Sequence, residues 1–214
     1  MKLKAGTYAV LAIGLAACAG GVEPQAQQTQ AQTQAEPPVA APAPRPVGFL
    51  TVAMTPNAIA TIPPAPKEGD ARNTLDWEIF RKTRALEGSE RWKLAMADDA
   101  YQPAYLLSAF SCSVGATLKP ENAPTLAKIL GRSTIDAGLA AEAAKQLYRR
   151  TRPYLHNEGN ICIAKSDGLA RSFDYPSGHS SLGWTAGLVL AQVAPDRASQ
   201  VLARGRAIGE SRVV

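Results

Sequence analysis

The spacing of apolar residues from Leu75 onward predicts an all-α chain folded as a compact helical bundle behind a disordered tether. Leu75, Ile79 and Leu86 are spaced by four and seven residues and Leu107 and Phe110 by three, the period of one helix face, with Trp92, Leu94, Met96 and Leu106 filling the apolar run between them. Gly88-Ser89, Pro103, Lys119-Pro120, Asn122 to Pro124, Pro153, Pro176 and Pro195 fall where helices stop or restart, since Pro and Gly break helices from within. No competing run of β-branched residues alternates with period two. Helices of about 10–16 residues fit between the breaks. Ser180–Val193 is unlike the rest, because Leu182, Trp184, Leu188, Val189, Leu190 and Val193 fall on every face. A helix with no polar stripe belongs in a core or a membrane, and this one is shorter than the roughly twenty residues a bilayer requires. It is expected to be the buried central helix.

The first residues carry an address. Lys2 and Lys4 precede the apolar run Ala5–Ala17, the layout of a bacterial export signal over residues 1–17. Leu15-Ala16-Ala17-Cys18 resembles a bacterial lipobox, so Cys18 is expected to be acylated. Ala19 in place of an Asp favours the outer membrane, facing the periplasm. Gly21–Val47 is built almost wholly of Ala, Pro, Gln, Thr and Glu, with too little apolar surface to offset ordering entropy, and residues 18–47 are expected to form a disordered tether. Residues 48–214 are expected to form one domain with one core. The formal charge of +5 falls to +3 once Lys2 and Lys4 are set aside. These scattered charges leave no nucleic-acid footprint. With Cys18 taken, Cys112 and Cys162 are the remaining thiols, and an oxidising compartment predicts a disulfide between them. Two cysteines without clustered histidines have no metal-site spacing, so no metal and no cofactor is expected.

The chemistry collects in three short segments. Pro176-Ser177-Gly178-His179 opens the apolar helix, and a helix N-terminus offers unpaired N–H groups to an anion. Taken alone, this is more often a helix cap than a site. Lys145 and Arg152 are separated by six residues; on one continuous helix that spacing would put both on one face. Two adjacent cations call for an anion between them, although Arg149 and Arg150 make a solvated basic face an equal alternative. Ser211-Arg212 closes the set.

Lys145–Arg152-Pro153, Pro176-Ser177-Gly178-His179 and Ser211-Arg212, in that order, resemble the signature of the type 2 phosphatidic-acid-phosphatase and vanadium-haloperoxidase superfamily. Arg84–Trp92, Phe110-Ser111-Cys112 and Asp136-Ala137-Gly138-Leu139 are similar to the class A non-specific acid phosphatases of bacteria, and the likeness runs from Thr74 to Val214. The resemblance implies that Lys145, Arg152, Ser177, Gly178 and Arg212 bind phosphoryl oxygens and that His179 is the general acid. It also implies a metal-free double displacement through a phosphohistidine. In that family the nucleophilic His follows Ser-Arg by five residues, with an Asp three further on, positions that fall past Val214. The sequence is therefore expected to be truncated before its nucleophile, and His156 matches no motif position. The expected partners are small phosphomonoesters and, through the lipid alone, a membrane, with a homodimer left open. A non-catalytic anion-binding lipoprotein is the alternative reading, and a vanadate-dependent haloperoxidase a more distant one.

Overall fold

The computed structural model describes residues 47–214. The export signal 1–17, the lipidation residue Cys18 and all but the last residue of the tether 18–47 lie outside the described residues. The described chain is all-α: α1 (Ala58–Thr61), α2 (Ala71–Thr83), α3 (Glu90–Ala97), α4 (Pro103–Val114), α5 (Pro124–Tyr148), α6 (Asp167–Arg171), α7 (Gly178–Val193) and α8 (Ala198–Glu210), with short 3₁₀ turns between them and no strand among the described residues. None of the described helices is long and apolar enough to cross a membrane.

Local chemistry sets the boundaries. Pro103 and Pro124 open α4 and α5, the position where a missing N–H costs nothing. Ser89 caps α3 by accepting from Trp92 N at 3.2 Å, and Ser177 caps α7 by accepting from Ser180 N at 3.2 Å. Gly115, at φ 81°, ends α4 in the left-handed conformation. α5 ends at Tyr148 because Arg149 also turns left-handed, at φ 49°. Lys145 and Arg152 therefore do not share a helix, contrary to the sequence expectation. Lys145 lies in the last turn of α5 and Arg152 caps the 3₁₀ turn Pro153–Leu155.

The core joins Leu106, Leu107 and Phe110 of α4 to Leu130 of α5, Ala186, Leu190 and Ala191 of α7, and Val201 and Ile208 of α8. α7 packs against α5 and α8. The α7–α8 contact is close because glycines face each other there. A Cβ on Gly205 would lie 2.8 Å from the Gly183 carbonyl oxygen and 3.3 Å from Gly187 Cα. This geometry corrects the expectation of an α7 buried all round: its small residues Gly183, Ala186, Gly187 and Ala191 are inside with Leu190, while Trp184 and Leu188 are 45% and 47% exposed. Close approach selects the small side of the helix as the buried one.

A second cluster packs Trp92, Ala95, Cys162 and Val214 together. Cys162 is buried there and Cys112 is exposed on α4, both as free thiols. The expected Cys112–Cys162 disulfide is thus not formed, since the two side chains belong to different surroundings. At the start of the domain, Asp136 of α5 accepts from Phe49 N and Leu50 N at 2.8 and 3.2 Å, and Arg132 donates to the Gly48 carbonyl at 2.6 Å. The Asp136 carboxylate fills the place where a side chain of residue 48 would be, so only glycine fits.

Gly205→Ala is expected to lower unfolding free energy by about 1–3 kcal/mol, the usual range for overpacking. Gly138→Ala, in α5 with open space at its Cβ, should instead raise it by about 0.5–1 kcal/mol through helix propensity. Urea unfolding of both variants distinguishes them, and an unchanged Gly205→Ala would contradict the close contact.

Candidate functional site

α5, α7, the end of α8 and the turn after Arg152 border one cavity of about 540 Å³. Lys145, Arg152, Ser177, Gly178, His179 and Arg212 all line it. The fold therefore brings the three sequence segments together, although Lys145 and Arg152 meet through a chain reversal rather than along one helix face. His156 is not among the lining residues; it is exposed, with Nε2 2.7 Å from Thr151 Oγ1.

The two arginines are held by their own partners. Ser172 Oγ accepts from Arg152 Nε and Nη2 at 3.0 and 2.8 Å. Arg212 donates from Nη1 to Asp99 Oδ1 at 3.0 Å and from Nη2 to the Ala95 carbonyl, while its buried Nε has no partner. Burial, reinforced by repulsion from Arg152, lowers the Lys145 pKa below the ordinary lysine value. Burial likewise lowers that of Arg152, against the attraction of Asp174. Lys145 Nζ lies 3.8 Å from where a Gly178 Cβ would stand, so the ammonium sits against the opening turn of α7. Positive charge thus collects where the helix N–H groups already favour an anion.

His179 Nε2 lies 3.0 Å from the Asp99 carbonyl oxygen and 3.6 Å from Asp99 Oδ1. A carbonyl only accepts, so Nε2 carries the proton. The ring meets the Tyr101 ring edge-on at 5.7 Å. Burial pushes the His179 pKa below the ordinary histidine value, with Arg212 and Lys145 acting in the same direction and the Asp99 carbonyl opposing them. Imidazolium at this position is a stronger acid than histidine in water.

Several supporting residues carry no motif signal. Asp99 joins Arg212 and His179. Its neighbour Asp98 is fully buried and accepts from Tyr105 Oη at 2.6 Å, Ser211 Oγ at 2.6 Å and Arg204 Nη1 at 3.1 Å. Arg91 Nη1 donates to Ser211 Oγ at 2.9 Å. Asp98 therefore fixes the end of α8 and, with it, Arg212. Arg150 pairs with Asp76 at 2.8 Å and Asp174 at 3.5 Å along the cavity wall. A doubled Asp at a helix end and an Arg among other basic residues read as solvated charge until tertiary contacts bury them.

Residues 126–214 match the PAP2 superfamily, a span that includes all three motif segments. An acid phosphatase of Zymomonas mobilis is 36% identical over 71% of this chain and 58% of its own length. Non-specific acid phosphatases of Providencia stuartii and Salmonella typhimurium are each 34% identical, over 74% and 72% of this chain and 64% and 62% of theirs. The chain thus spans less than two thirds of the length of these curated relatives.

Asp98 generates a pH prediction. Burial raises its pKa, but hydrogen bonds from Arg204, Ser211 and Tyr105 outweigh this and leave the carboxyl below the ordinary Asp value. Its stabilisation is therefore complete above the unfolded value of about 3.9 and is lost as pH falls through the lower folded value. Asp98→Ala should cost about 3–5 kcal/mol at pH 7, the range for breaking a buried pair. The gap from wild type should narrow at pH 3. Guanidinium unfolding at both values measures it, and a gap independent of pH would contradict the assignment.

Proposed function

Because residues 126–214 match the PAP2 superfamily, we propose that the chain acts as a bacterial acid phosphatase, hydrolysing phosphate monoesters by double displacement. The observation that supports this reading best is the convergence of Lys145, Arg152 and Arg212 on one cavity at the N-terminus of α7, beside the half-buried imidazole of His179. Phosphoryl transfer needs positioning and charge stabilisation more than covalent help from the protein. Lys145, Arg152, Arg212 and the N–H groups around Gly178 receive the phosphoryl oxygens, aided by the Ser177 hydroxyl. His179, as imidazolium, gives its proton to the ester oxygen as the P–O bond breaks. A histidine nitrogen takes the phosphoryl group, and the resemblance assigns that role to a His following Ser211-Arg212 by five residues. Water then attacks phosphorus and gives a proton to His179, releasing phosphate and regenerating both histidines.

The lowered pKa of His179 sets the sign of the pH dependence. The imidazolium needed for the first step is populated only below that pKa, so this step slows as pH rises through it.

Arg152→Ala is expected to weaken vanadate binding by about tenfold to a hundredfold, corresponding to about 1.5–3 kcal/mol for a lost charged hydrogen bond. Isothermal titration of the 214-residue chain provides the measurement. Unchanged affinity would remove Arg152 from the site, and p-nitrophenyl phosphate turnover by a chain extended through the expected His separates an enzyme from an anion-binding protein without turnover.

A further inference from the structure

Three carboxylates, Asp76, Asp99 and Asp174, line the wall of the cationic cavity beside its phosphoryl-binding groups, and they are held differently: Asp76 pairs with Arg150 at 2.8 Å. Asp99 is occupied by Arg212 and His179. Asp174 is not comparably engaged. Its side chain is only 15% exposed, yet its sole side-chain ion-pair partner is Arg150 at 3.5 Å, and Arg150 sits closer to Asp76, at 2.8 Å. Asp174 Oδ1 is buried with no partner at all. The backbone keeps it in place, since Asp174 N donates to the Arg150 carbonyl at 3.0 Å. It also lies two residues after Ser172, which holds Arg152, and two before Pro176, which leads into α7. The charged groups facing it are Arg150 and Arg152 from the segment after α5, Lys145 from α5 and Asp76 from α2.

A carboxylate here stands in a contradictory position. It attracts the same Arg152 and Lys145 that an incoming phosphoryl group needs, and it repels that group's charge. A neutral carboxyl reverses both effects, leaving the cations free and turning one oxygen into an O–H donor. We propose that Asp174 is an affinity-determining residue of this site, one that must take up a proton for an oxyanion to bind tightly and then donates a hydrogen bond to it. The proposal rests on the reading of the cavity as a phosphoryl site and adds a residue that none of the three motif segments contains.

The environment of Asp174 suits this role at mildly acid pH. Burial, with Asp76 acting in the same direction, raises its pKa to about 6 against the pull of Arg150, Arg152 and Lys145. The direction of the linkage follows. A bound anion disfavours the nearby carboxylate and raises the pKa further, so binding takes up a proton and affinity rises as pH falls through this range.

Sulfate is the suitable probe, because it keeps its double charge across the whole range. Titration calorimetry of the full chain with sulfate from pH 4.5 to 8 should show Asp174→Asn equal to wild type at pH 4.5. At pH 8 the variant should bind about tenfold tighter, the equivalent of a one-unit shift caused by a like charge. The ratio of the two affinities cancels the titration of His179, which both proteins share. A ratio that does not change with pH overturns the role of Asp174 while leaving the cavity an anion site. Sulfate binding absent from wild type at pH 4.5 overturns both. Carbon-13 titration of the Asp174 carboxyl in the unsubstituted protein gives a second test that needs no variant. Its midpoint should rise by about one unit when sulfate is added, and an unmoved midpoint overturns the proposal.

Discussion

Three cations gathered at one helix N-terminus repel one another, and the rest of the site is organised around that repulsion. Lys145 and Arg152 each lose stability of their charged forms through burial, and Lys145 also through the nearness of Arg152. The protein offsets the cost with fixed oxygens: Ser172 for Arg152, and Asp99 with the Ala95 carbonyl for Arg212. An oxyanion in the cavity would offset it further, which is why such a cluster is better placed to bind than to stand empty.

The scaffold serves the same constraint. Arg212 follows directly on Ser211, whose hydroxyl is anchored to buried Asp98, and Asp98 is in turn balanced by Arg204 and Tyr105. The next residue, Asp99, turns outward and meets both Arg212 and His179. Two adjacent aspartates thus divide the work, one fixing the position of the helix end and the other orienting the groups at the cavity. The glycine contact between α7 and α8 sets the distance across which these partners meet.

Much of this was legible in the sequence, and the exceptions have physical causes. Helical periodicity and Pro breaks marked an all-α chain, because burial on one face leaves a pattern in the sequence. The Pro176–His179 segment was readable as a helix start because Ser177 is a capping residue. The shared face of Lys145 and Arg152 was not readable as it occurs, since Arg149 adopts a left-handed conformation that residues other than Gly, Asn and Asp rarely signal in advance. Arg150 read as surface charge because its partners Asp76 and Asp174 are remote in sequence. The cysteine pairing failed because redox compartment constrains which thiols can pair without placing them side by side. The exposure of Trp184 and Leu188 followed from glycines that allow α8 to approach the other side of α7.

Anomalous diffraction from crystals soaked with tungstate tests most directly whether the three cations and the α7 N-terminus receive one tetrahedral oxyanion. A single strong peak is expected within hydrogen-bonding reach of Lys145 Nζ, the Arg152 guanidinium, Arg212 Nε and the backbone N–H groups at Gly178 and His179. A cavity without tungstate, or tungstate bound only at surface arginines such as Arg149, would contradict it.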